Sequence, residues 1–138
     1  LVATHSNAHA VTPSTRNLTD RQLAMIRESG GMVGLNYATV FLRDDGRKAT
    51  DCGWDPVMRH IDHLIDKLGE DHVGFGSDFD GVGDSLPVGL KDASGYPRLI
   101  QILLERGYTD DDIVKVSSGN LLRVWLAQNN SRSIIAFG

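Results

Sequence analysis

Cysteine is almost absent: Cys52 is the only one in 138 residues. That excludes an internal disulfide framework and any cysteine-rich zinc module. It also tilts the compartment toward a reducing one such as the cytoplasm. There is no excess of basic charge. The 14 Lys and Arg face 18 Asp and Glu, for a formal net charge of −4. Non-specific binding of nucleic acid or of an anionic membrane, which needs clustered Lys and Arg, is therefore disfavoured. No apolar run approaches the ~20 residues of a membrane span. Repeats, low-complexity tracts and linker-like stretches are missing too. There is no initiating Met and no signal-peptide pattern. The chain opens on Leu1-Val2-Ala3-Thr4-His5, which reads as the middle of a strand and so as the continuation of something longer.

What is present is an ordinary globular composition, 41% hydrophobic and 23% charged, of a length that suits one domain. Short apolar runs alternate with amphipathic segments. Leu1–Thr4, Met32–Asn36 and Val73–Ser77 read as strands, the second apolar enough to be buried on both faces. Thr19 and Gln22 form a capping box that starts a helix, with Gly30 as its stop. Asp55 as N-cap, with Pro56 in the first turn, starts a second helix with an apolar stripe of Val57, Ile61, Leu64, Ile65 and Leu68. Pro97 starts a third, with Leu99, Ile100, Leu103 and Leu104 inward. Thr109 and Asp112 open a short fourth helix that Gly119-Asn120 breaks, and Leu121, Leu122, Val124 and Trp125 begin a last one. The stretch Tyr37–Trp54 reads as a long loop, and loops of that length are usually functional or disordered. Strands alternating with helices imply parallel βαβ units, an α/β fold.

In parallel α/β architecture, chemistry gathers beyond the C-terminal ends of the strands. That rule selects His5, Asn36 and Asp78. His5 suits a zinc ligand on a rigid strand end, or equally a buried histidine bonded to a neighbouring strand. Asp78 follows Gly74-Phe75-Gly76-Ser77 and would deliver a carboxylate for a metal, a proton or a substrate ammonium; the bland alternative is a cap or turn residue. Arg16, in the loop after the first strand, could clamp a substrate carboxylate or be an ordinary surface arginine. A calcium loop starting at Asp78 fails, because Val82 and Gly89 occupy two of the strongest ligand positions. A phosphate loop fails for want of a Gly-Lys-Ser/Thr tripeptide. His60 and His63, about 100° and 160° from Ile61 around their helix, read as surface residues. His9 reads as a loop residue, and Cys52 as an unactivated loop thiol.

Taken together, His5-Ser6-Asn7-Ala8, Arg16-Asn17, Val33-Gly34-Leu35-Asn36 and Gly74-Phe75-Gly76-Ser77-Asp78-Phe79-Asp80-Gly81 resemble the membrane (renal) dipeptidase family of zinc-dependent, amidohydrolase-type enzymes. Tyr96-Pro97 and Gly119-Asn120-Leu121-Leu122-Arg123-Val124 extend the match to about Trp125. The resemblance implies the C-terminal portion of a (β/α)₈ TIM barrel, about three βα units plus C-terminal helices. Residues 1–127 would belong to it, with 128–138 an irregular tail. It implies two zinc ions, with His5 as the sixth-strand ligand to one. It implies Arg16 on the substrate carboxylate, and Asp78 in both substrate binding and proton transfer. The family's first-strand His-x-Asp pair, bridging carboxylate and fifth-strand His would all lie upstream, so this chain alone offers an incomplete metal site.

The expected function is hydrolysis of dipeptides by a zinc-activated water. A related amidohydrolase acting on another amide or a lactone is an alternative, as is a metal-free binding member of the fold. The expected partner is a dipeptide, without nucleic acid or membrane segment, and a homodimer stays open.

Overall fold

A computed structural model describes residues 1–136, with side chains as far as 130. Three parallel strands, β1 (Val2–Ala3), β2 (Met32–Asn36) and β3 (Val73–Ser77), form one sheet in that order. Between β1 and β2 lies α1 (Asp20–Glu28). Between β2 and β3 lie the short α2 (Thr39–Leu42) and the long α3 (Asp55–Leu68). After β3 come α4 (Tyr96–Glu105), α5 (Asp110–Val114) and α6 (Asn120–Ala136).

Every residue of β2 is buried, as a central strand covered on both faces requires. The α3 stripe packs against the sheet, with Val57, Ile61 and Leu64 wholly buried. Truncating such a residue to alanine costs roughly 2–5 kcal/mol. Thr19–Gln22 and Thr109–Asp112 both form the reciprocal bonds of a capping box. Gly34 and Gly76 have a different task. A Cβ at either would run into the Thr4 carbonyl and the backbone of the other glycine. The three strands therefore curl together more closely than any side chain would permit.

Several expectations are corrected. The cap position of α3 is Trp54, without a side-chain bond; Asp55 instead pairs with Arg59 at 3.2 Å. Leu104 is exposed, the stripe of α4 being carried by Leu99 and Leu103. Gly119-Asn120 does not break the helix. A wider π-helical stretch, Lys115–Gly119, joins α5 to α6, and the Asn120 side chain is spent on the carbonyls of Glu70 and Val73 at 2.6 and 2.8 Å. The stretch 128–138 is helical as far as Ala136, because a helix extending from a docked start needs no apolar period of its own. Its last two residues lie outside the described ones.

His60 is the largest correction: it is fully buried. The flank of α3 on which it sits is covered by segments distant in sequence. Ala8 N–H donates to its Nδ1 at 3.1 Å. That leaves the proton on Nε2, which donates to the Leu42 carbonyl at 3.1 Å. The Thr12 hydroxyl donates to the same carbonyl at 3.0 Å. His63 is half-buried and bonded to Asp20 at 2.7 Å, which ties α3 to α1. Cys52 is buried, and burial pushes its thiol up, in keeping with an unactivated cysteine.

Burial pushes the His60 pKa down from 6.5 to about 4. Between those values the unfolded chain binds more protons than the folded one. The stabilisation is therefore complete above pH 6.5 and lost as pH falls toward 4. At about 1.4 kcal/mol per unit, about 3 kcal/mol is at stake. Urea unfolding at pH 7 and pH 4.5 should show most of that loss in the wild type. His60→Leu should flatten the slope while lowering stability at pH 7 by about 1–3 kcal/mol, since Ala8 N–H loses its acceptor. An unchanged slope in that variant would assign the acid response to other groups.

Candidate active site

The C-terminal ends of the strands are tied together by amides. Asn7, buried in the loop after β1, grips the Asn36 backbone at both atoms. Its Nδ2 donates to the Asn36 carbonyl at 2.9 Å, and its Oδ1 accepts from the Asn36 N–H at 2.9 Å. The Asn36 side chain then has only one workable orientation. Ala38 N–H donates to Oδ1 at 2.7 Å, so Nδ2 must face outward, where it donates to Asp78 Oδ2 at 3.0 Å. Among the described residues, Asp78 Oδ1 has no partner.

The backbone that presents Asp78 is distorted. Pairing between β2 and β3 slips after Leu35–Phe75, so that Asn36 faces Ser77 and Gly76 is the extra residue of a bulge. Ser77 and Asp78 follow at φ 49° and 73°, left-handed values that side chains disfavour. Bulges re-aim side chains, and strain of this kind persists where the surroundings over-determine it. Here Tyr37 N–H donates to the Ser77 carbonyl at 2.9 Å. Gly81 completes the arrangement, since a Cβ there would collide with the Asp78 carboxylate.

Arg16 is held from below. Asn17 donates to the carbonyls of Thr12 and Phe41, both at 3.0 Å, and the Arg16 guanidinium lies 5.4 Å from the Phe41 ring centre. Arg16 and Asp78 line one cavity of about 290 Å³, together with Phe41, Lys48, Gly81 and Val82. Two cations and one carboxylate on the wall of a small cavity complement a zwitterion: an anionic end for the cations, an ammonium for Asp78. Tyr37, next in the chain after Asn36, is fully buried beside Phe79 and Tyr96, their ring centres 5.5 and 6.2 Å away. Burial, and then the neighbouring Tyr96, holds its phenol pKa well above the usual value.

His5 stands at the end of β1, outside the residues that line this cavity. Its Nδ1 meets the Thr4 hydroxyl at 2.7 Å, which steadies the ring and leaves Nε2 available. A zinc site takes three or four ligands. Among the described residues no three His, Cys, Asp or Glu are grouped to hold a metal ion. The donors present therefore suit one ligand position, not a whole centre.

His5, Asn36 and Asp78 are legible in the sequence as strand-end residues, and the structure brings Asn36 and Asp78 into contact. Asn7, His60 and Lys48 are not legible in that way. Asn7 lies in the His5-Ser6-Asn7-Ala8 run, the one signal that could have marked it; His60 and Lys48 carry no motif.

The family model for membrane dipeptidase (peptidase family M19) matches residues 1–135. An uncharacterized protein in the pqqA 5′ region of Klebsiella pneumoniae is 54% identical over 90% of the chain and 45% of its own length. The dipeptidase aclJ of Aspergillus oryzae is 42% identical over 87% of the chain and 28% of its own length. A metallo peptidase from Rhodobacter sphaeroides, solved with a phosphinate mimic of the dipeptide L-Ala-D-Ala, superposes with a TM-score of 0.86 at 62% identity. That match covers 90% of this chain and 35% of that one. The chain thus spans less than half the length of these relatives, and it belongs to the membrane dipeptidase family, peptidase family M19.

Proposed function

We propose that this chain is the sixth- to eighth-strand part of a (β/α)₈ barrel whose complete form hydrolyses dipeptides with the help of two zinc ions. The observation that carries the reading is the shared cavity of Arg16 and Asp78, with one Asp78 oxygen held by Asn36 and the other free. Likeness to a dipeptidase and to a metallo peptidase solved with a dipeptide mimic supports it.

Arg16 takes the substrate's C-terminal carboxylate, its planar fork fixing the register. Only a peptide short enough to reach Asp78 with its other end then fits. Asp78 Oδ1 faces the substrate ammonium, takes up the proton that the attacking water loses and returns it to the leaving amine. Asn36 stops the carboxylate from rotating away, so the free oxygen stays turned to the cavity. His5 Nε2 would ligate one zinc ion. When bound, the ions would supply Lewis-acid activation of water and of the scissile carbonyl.

A dipeptide panel and a metal titration on the full-length protein test the reading. Hydrolysis of other amides or lactones without any of dipeptides would sink it. Arg16→Ala should raise KM about 10- to 100-fold with a smaller effect on kcat, the loss expected for a charge-assisted bond of about 1.5–3 kcal/mol. An unaltered KM would remove the clamp. Asp78→Asn keeps the shape and the Asn36 neighbour but loses the base, and kcat should fall by about 10²–10⁴. Full turnover in that variant would take the proton-transfer role away from Asp78.

A further inference from the structure

Most of the described cations are already spoken for; Arg21 and Arg47, which are not, lie outside the lining of the Asp78 cavity. Arg43 is paired with Asp45 at 2.5 Å, Arg59 with Asp44 at 2.7 Å and Lys67 with Asp66 at 3.0 Å. Lys115 lies 2.9 Å from Asp71, Arg98 lies 3.7 Å from Glu105, and Arg106 contacts Asp62. Arg27, Lys91 and Arg123 donate to backbone carbonyls. Lys48 makes no such bond among the described residues, and neither does the Arg16 guanidinium beyond the Phe41 face. Both line the Asp78 cavity. In a chain with more acidic than basic residues, two uncommitted cations on one small cavity form an anion-binding wall with more positive charge than a single carboxylate neutralises.

We infer that Lys48 makes this cavity selective for dipeptides whose C-terminal residue is Asp or Glu, a deepening that rests on the dipeptidase reading above. Arg16 engages the α-carboxylate. The side-chain carboxylate of the same residue, two or three carbons away, meets the Lys48 ammonium. Phe41 and Val82 supply apolar wall for the intervening methylenes. Lys48 belongs to the exposed part of the Tyr37–Trp54 segment, so its charge acts through water and its effect is moderate and salt-sensitive.

The test compares kcat/KM for Ala-Glu, its neutral isostere Ala-Gln, and Ala-Lys, using the full-length metal-loaded enzyme. The wild type should favour Ala-Glu over Ala-Gln about fivefold at low salt, less in 0.5 M NaCl, an effect of the size that a partly exposed ion pair gives. Lys48→Gln should bring that ratio close to one, Lys48→Arg should keep it, and Lys48→Glu should shift preference to Ala-Lys. Thermal unfolding of each variant checks that the fold is intact. Equal ratios in wild type and Lys48→Gln overturn the inference while leaving the dipeptidase reading standing. Failure of the wild type to cleave any of the three dipeptides overturns both.

Discussion

The two-point bond between the Asn7 side chain and the Asn36 backbone is the constraint on which the rest of the site depends. A strand end is where backbone donors and acceptors run out of partners, and a buried one left unpaired costs about 1–3 kcal/mol. Here a side chain from the preceding loop imitates a strand and closes the account. Three things follow from it. The loop after β1 is drawn in over the sheet. The next residue, Ala8, reaches His60 with its N–H. The Asn36 side chain, its own backbone satisfied by Asn7, accepts from Ala38 N–H and turns its amide nitrogen toward Asp78.

The polar interior beneath the cavity is built almost entirely from neutral groups. Asn7, Thr12, Asn17, Asn36 and an uncharged His60 are all buried, and their bonds go mainly to backbone carbonyls and amides. Charge appears only at the rim, on Arg16, Lys48 and Asp78. Neutral amides can be buried at modest cost if satisfied, whereas an ion in the same place would need a partner of its own. Inside, only the neutral Asn36 amide touches a rim charge, on one oxygen of Asp78, so Arg16, Lys48 and the other Asp78 oxygen stay available to a ligand.

Local signals in the sequence place most elements that a single segment decides, although the cap mark on Asp55 falls one residue late, the cap itself being Trp54. Met32–Asn36 and Val73–Ser77 begin and end where the apolar runs and glycines place them, and both capping boxes form. What was hidden depends on partners far along the chain. The angular position of His60 on α3 is its own, but Ala8, Thr12 and Leu42 decide whether that flank is wet or dry. Gly119-Asn120 carries the signature of a stop, yet Asn120 is claimed by carbonyls some fifty residues earlier, and the helix runs on. Asp78 was legible as a carboxylate at a strand end. The bulge and left-handed turn that aim it were not, since neither Ser77 nor Asp78 advertises a positive φ.

Those two backbone angles have a consequence of their own. A glycine at position 77 would adopt the left-handed conformation without the strain, of order 1 kcal/mol, that serine bears. It would also loosen the peptide unit that points the neighbouring carboxylate. Heat resistance and directional accuracy therefore pull against each other at one residue. A search for hardier variants of this protein, judged on melting temperature alone, will tend to blunt the very feature that gives the cavity its direction.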